Sequence, residues 1–156
     1  MEVITQLIAA FIATSGFVFL MNAPLSEIPI CGFVGALSWG TLLLFSNIGP
    51  DDFAGVFFAA LISIFVCRVL APIRRMPRTV YLVAAIIPLV PGMHLYNMMM
   101  SVLMDDTATA SYHGTRTLIF TGIIAINILI VLSFPEKPVL FLANAFKIFA
   151  REEKKL

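Results

Sequence analysis

Residues 79–104 read TVYLVAAIIPLVPGMHLYNMMMSVLM, and the rest of the chain is understood from them. The stretch carries no Asp, Glu, Lys or Arg and is mostly apolar. About 20 such residues cross the roughly 30 Å hydrocarbon core of a bilayer. This one is longer and is interrupted by Pro-Leu-Val-Pro-Gly at 88–92. Counted from Thr79 at about 1.5 Å per residue, Pro88 and Pro91 fall about 13–18 Å along, close to the expected midplane. Each proline lacks an amide hydrogen, so the carbonyls of Ala84 and Ile87 lose their helical donors. Gly92 can adopt a backbone conformation closed to other residues. In hydrocarbon, freed peptide groups persist only where protein or a water-lined cavity satisfies them. A helix broken at midplane is how many carriers build a substrate site. A plain proline kink in a structural helix fits the same residues.

Outward from this stretch the chain stays apolar. Of its 156 residues 60% are hydrophobic and 12% charged, with a mean hydropathy of +1.00. The apolar residues come in blocks of membrane-spanning length, which a soluble domain of this size does not need. The expected fold is an all-α polytopic membrane protein of about five transmembrane helices, near 3–21, 28–45, 53–71, 79–104 and 117–134. The fourth is broken at Pro88–Gly92. An amphipathic C-terminal helix follows, so 1–137 reads as a transmembrane unit and 138–156 as a cytoplasmic basic tail on lipid phosphates. The first block has no basic n-region and no small-residue cleavage site, which favours a retained span over a signal peptide. A net charge of +1 gives no nucleic-acid footprint. Cys31 and Cys67 lie in different blocks without CxxC or histidine spacing and read as small core residues.

In the second block Gly32, Ala36 and Gly40 recur at i, i+4, i+8, a small-residue face that lets another helix approach closely. Trp39 lies in the middle of that block, which leaves a re-entrant segment open beside a full span. Asn47–Asp52 reads as an acidic turn. Arg68, near the end of the third span, reads as snorkelling to headgroups. Ala71–Arg78 reads as a tight basic loop, and 107–114, TATASYHG, as a loop of small residues. With 71–78 cytoplasmic, five spans place the N-terminus outside and the C-terminus inside. Nine of the ten Lys and Arg residues then lie at the cytoplasmic side, Arg116 excepted, as the positive-inside rule asks.

Beyond Gly92 a resumed helix puts His94, Asn97, Ser101 and Asp105 within about 80° of one another. That polar stripe either lines a solute path or hydrogen-bonds neighbouring helices. The restarted helix aims its positive end at the break, which favours a carboxylate or other anion there. Asn127, in the middle of the last span, either pairs with the carbonyls of the break or contacts solute. His94 with Met98–Met100 reads as ordinary filling, not a metal site, and no cofactor is implied. Asp105-Asp106 resembles the start of some lipid-headgroup transferase motifs, without their further aspartates, glycines and arginine. No Ser/His pair, HExxH or GxGD-type motif is present, so no enzyme is expected.

Gly16-Phe17, Asn22-Ala23-Pro24, Gly32–Trp39 and above all Ile87-Pro88-Leu89-Val90-Pro91-Gly92 with Tyr96 carry a resemblance. Together they are similar to the threonine/serine exporter (ThrE) family, and within it to the small subunit of the split, two-protein form, from about residue 16 to 134. The resemblance implies a bacterial inner-membrane secondary exporter of a small carboxylate-bearing solute, a threonine/serine-like amino acid or a dicarboxylate. It implies a separate large ThrE-type membrane subunit as partner besides the lipid bilayer. Pro88, Pro91, Gly92 and Tyr96 carry over as family positions. His94, the methionine run and the basic tail depart from the family pattern. On an ideal helix Tyr96 points about 160° from the middle of the polar stripe, toward a partner if the stripe faces solute. Protons are the candidate coupling ion, through His94, whose ordinary pKa is near neutral. A non-transporting scaffold subunit and a homo-oligomeric channel are the rival readings.

Overall fold

A computed structural model describes residues 2–46 and 52–135. The acidic turn at 47–51 and the basic tail from 136 onward lie outside the described residues. All the described secondary structure is helical: α1 (Glu2–Leu20), α2 (Ile28–Phe45), α3 (Phe53–Arg74), α4 (Arg78–Ile86), a 3-10 turn at Ile87–Leu89, α5 (Gly92–Leu103) and α6 (Thr107–Ser133). Helices α1, α2, α3 and α6 are each long and apolar enough to cross a membrane. Residues 78–89 and 92–103 together make a further such segment, bent by 55°.

Local chemistry sets the ends. Asn22 stops α1 in the left-handed region at φ 61°, which Asn tolerates better than most residues. Pro29 opens α2, where its missing amide costs nothing. The third helix runs on through Pro72 to Arg74, where the sequence suggested a loop from Ala71. Arg75, at φ 57°, ends it, and the Met76 amide reaches back to the Ala71 carbonyl at 3.1 Å. The basic loop is thereby reduced to the turn before Arg78.

The last span departs furthest from the expected bounds. Helix α6 begins at Thr107, ten residues before the expected start, and absorbs the whole of TATASYHG. Asp106 caps it, accepting the Thr109 amide at 3.1 Å. Hydrogen bonding from Thr109, first its side chain and then this amide, holds the Asp106 carboxyl below the usual aspartate range. Thr115, Thr117 and Thr121 return their hydroxyls to carbonyls four residues back, so these three side chains are satisfied within the helix.

Two buried clusters hold the bundle. One joins α1 to α4 through Val18, Cys31, Val34, Cys67, Ala71, Tyr81, Ala84 and Ala85. The other packs Val56, Ala59, Ala60 and Ile64 of α3 on Leu89 and on Phe120, Ile124 and Val131 of α6. The α1–α2 seam is built on small residues. A methyl on Gly32 would stand 2.3 Å from Ser15 Oγ, one on Gly35 2.1 Å from Thr14 Oγ1, and one on Gly40 3.1 Å from Leu7. Ala36 is half-buried beside them. Gly35 completes a seam of which the sequence suggested only Gly32, Ala36 and Gly40.

The direction of α6 fixes the path of the broken segment. The rings of Phe53 and Phe120 lie 5.1 Å apart at one end. At the other end Arg68 donates to the Phe134 carbonyl. Helices α3 and α6 therefore run parallel, and the segment between them must carry the chain from one end of the bundle to the other. Arg68 is buried and turned inward, not snorkelled. Its cation sits where the C-terminal carbonyls of α6 converge.

The seam makes a prediction. Gly35→Ala forces a methyl into the Thr14 side chain and should cost about 1–3 kcal/mol by overpacking, read as a lower midpoint of thermal unfolding in detergent. Gly16→Ala, with nothing within 4 Å of the new methyl, should leave the midpoint unchanged or slightly raised.

Candidate solute site at the broken helix

The break is made by its two prolines. Helix α4 stops at Ile86 and tightens into the 3-10 turn. Val90 then extends (φ −60°, ψ 128°) and Pro91 adopts φ −75°, ψ 57°. These last angles are those of an inverse γ-turn, closed by the Gly92 amide on the Val90 carbonyl at 2.7 Å. Gly92 has no positive φ, so its conformational freedom is not what makes the break. It opens α5, exposed, with nothing within 4 Å of where a side chain would begin. Just before the break the buried Ser38 hydroxyl of α2 donates to the Ala85 carbonyl at 2.8 Å. A carbonyl at the end of a broken helix thereby has a protein donor from the neighbouring helix.

Two cavities flank this point. The larger, about 430 Å³, is lined by Trp39, Leu42, Ser46, Asp52, Val56, Phe120 and the run Pro88–His94. The other, about 350 Å³, lies between α1 and the break and touches Gln6, Ala10, Thr14, Trp39, Ile87 and Pro88. Trp39 and Pro88 border both, and Trp39 Nε1 is held by Gln6 Oε1 at 3.1 Å. Ligand pockets run roughly 300–1,000 Å³. Ile87 and Pro88 lie beside Ala10 and Thr14 midway along α1 and beside Trp39 midway along α2. The segment from Leu89 to His94 runs on toward the C-terminal end of α2 and the first turn of α3. Asp52 begins α3 without capping it by its side chain, so its carboxylate is left for the cavity.

Helix α5 continues as one arm of a hairpin with the N-terminal half of α6. His94 Nδ1 lies 3.0 Å from His113 Nδ1, and the His94 ring stacks on Phe120 at 5.5 Å. Met98 packs on Gly114. Arg116 lies 5.2 Å over both Phe53 and Tyr112. His94, Asn97 and Ser101 are half-buried. Asp105 is not part of their stripe: α5 has ended at Leu103, and Asp105 turns at φ 57°. Tyr96 is exposed, and the helix is regular around it. His113 was missed because 107–114 read as a loop; Asp106 as a cap before alternating Thr and Ala was the signal for a helix there.

Pro88, Pro91, Gly92 and His94 thus share the larger cavity, and Asn97, Ser101, Tyr96 and Asn127 do not line it. Asn127 is fully buried, but its amide donates to Ile123 of its own helix at 2.9 Å, not to a carbonyl of the break. Its Oδ1 has no partner among the described residues.

Ser38→Ala tests how the break is held. Removing the hydroxyl leaves a buried carbonyl without its side-chain donor, at about 1–3 kcal/mol. The variant should unfold at lower temperature and show faster amide exchange over residues 85–92 than the parent.

The family described as threonine/serine exporter, ThrE, matches residues 6–134. A protein of Haemophilus influenzae described as uncharacterized is 28% identical over 103 residues, which cover 66% of this chain and 35% of that protein. The chain thus spans about a third of the length of that curated relative. No solved structure matches it. With all but its first five residues and its last 22 inside the match, the chain, helices and broken crossing together, belongs to the threonine/serine exporter ThrE family.

Proposed function

We propose that this chain is the small subunit of a heteromeric secondary exporter in a bacterial inner membrane. Its solute is a small carboxylate-bearing metabolite, a threonine/serine-like amino acid or a dicarboxylate. The carrying observation is the interrupted crossing between two cavities that share Trp39 and Pro88. In this reading the solute carboxylate lies against the opening turn of α5, where uncapped amides and the helix dipole favour negative charge. Pro88, Pro91 and Gly92 shape the wall, His94 closes one side, and Asn97 and Ser101 line the way out along the hairpin. Tyr96 faces a large ThrE-type subunit on a separate chain. About two thirds of the Haemophilus relative lies outside the match, which is room for such a half. Asn127 stiffens α6 behind the break. The N-terminus is outside and the basic tail cytoplasmic.

The chain contains one tryptophan, and it stands between the cavities. Trp39 emission from the protein in nanodiscs should change saturably with L-threonine or with a C4 dicarboxylate, and should not with both enantiomers alike. In cells carrying the chain with a large ThrE-type half, Pro88→Ala and Asn97→Ala at matched membrane levels should cut efflux by about tenfold or more. Full efflux in both variants would make the chain a scaffold. Flux from the chain alone that never runs against a gradient would make it a channel.

A further inference from the structure

At the end of the bundle remote from the break, the turn before α2 buries a carboxylate. Glu27 is 5% exposed. Arg74, the last residue of α3, forks onto it, with Nη2 donating to Oε1 at 2.7 Å and Nε to Oε2 at 3.2 Å. Tyr81 of α4, itself fully buried, donates its hydroxyl to Oε2 at 2.6 Å. Ser26 adds a longer contact at 3.4 Å. Three elements meet on this one side chain. Arg74 reaches solvent on its far side, whereas the carboxylate does not. The other ionisable groups nearby are the exposed Arg75 and Arg78 and two buried thiols. Cys31 donates its amide to the Glu27 carbonyl at 2.9 Å, and Cys67 Sγ donates to the Tyr81 carbonyl at 3.1 Å. Both thiols therefore stand directly behind the ion pair.

A buried pair is a poor device for stability alone, since well-packed apolar residues hold helix ends as well or better. What it offers is two states. The carboxylate can be an anion bound by Arg74 or a neutral acid without it. Between Glu27 and the break the bundle is filled by Cys31, Cys67, Tyr81, Ala84 and Ala85, so in this structure that end is shut. We propose that Glu27, Arg74 and Tyr81 form the gate at the basic end of the solute path, and that Glu27 couples it to protons by exchanging Arg74 for a proton when the gate opens. The proposal rests on the export reading above.

On opening, one proton from the adjoining water binds a carboxylate oxygen. The guanidinium keeps its charge and passes to water, and Tyr81 keeps its proton while its hydroxyl turns to accept from the acid. On closing, the proton leaves and both bonds re-form. The bond from Arg74 outweighs burial and, with that from Tyr81, holds Glu27 below the usual glutamate range in the closed form. The closed form thus binds fewer protons than the open one. Closure is at full strength above the ordinary carboxylate pKa, weakens below it, and is lost as pH falls through the lowered value of the closed form.

The chain has two cysteines, both behind the gate, and they report its state without any solute. The full chain in liposomes is treated with a charged methanethiosulfonate, and the labelling rate is divided by that of a free thiol at the same pH. The parent should label slowly at neutral pH and severalfold faster only at about pH 3.5, below the ordinary carboxylate pKa. Glu27→Gln should label at the fast rate at both. Arg74→Lys, which keeps the charge but loses the fork, and Tyr81→Phe should fall between. Slow labelling of Glu27→Gln, or a pH response in it equal to the parent's, would overturn the gate. If Glu27→Gln does not fold, the other two decide: parent-like rates in both overturn it. Labelling that responds as expected in a chain that exports nothing would sink the export reading alone.

Discussion

Peptide groups cannot be left bare among hydrocarbon and apolar side chains, and every unusual feature near the break answers to that constraint. Pro88 and Pro91 strip two amides from a segment that must still carry the chain through the bundle. The fold responds with a 3-10 turn, a γ-turn that pairs Gly92 with Val90, and a serine on the next helix that reaches Ala85. Ser38 can reach because α2 lies close to α4, and α2 can still accept α1 on its other side because Gly32, Gly35 and Gly40 take no space. The small-residue seam and the broken helix are thus one arrangement. Fill the seam, and α2 shifts away from the carbonyl it serves.

What the sequence made legible follows the same physics. Apolar runs without a helix breaker inside them, such as 28–45, came through to the residue even where Trp39 left a re-entrant segment open, since length and hydropathy set a helix's extent. The break was legible because proline's effect is covalent and local. Threonine and alanine at 107–114 were misread as a loop because composition there is neutral, and the deciding features were a single cap and the support of α5. Arg68 and Asn127 were read with partners other than those they find, the Phe134 carbonyl and the Ile123 carbonyl. Which neighbour a polar side chain finds depends on the rotation of its helix, and that comes from packing far away in the sequence. Glu27 escaped notice for a related reason, since its partners lie 47 and 54 residues on.

The two ends of the bundle differ in kind. The end holding Glu27 is closed by a buried ion pair with small residues packed behind it, and a smaller cavity of about 240 Å³ lies to one side, between Val18–Pro24 and Thr79–Val83. The other end carries the larger cavity of the break and a helical hairpin. No residue of α5 is buried, and its principal neighbour is α6. From the level of Phe53 and Phe120, α6 extends about 20 Å further along the hairpin, at 1.5 Å per residue. Such a layout suits a path that is open at one end and sealed at the other, with the break between.

The two histidines tie the hairpin to that break. An Nδ1 to Nδ1 distance of 3.0 Å requires one ring to donate and the other to present a bare nitrogen. The contact therefore persists with one proton between the rings and cannot form when both nitrogens carry one. His94 borders the larger cavity and stacks on Phe120, which in turn rests on Phe53 at the start of α3. The contact thereby links the wall of the cavity to the hold of α5 on α6. The helix that begins at the break is thus fastened by a bond whose existence depends on a single proton.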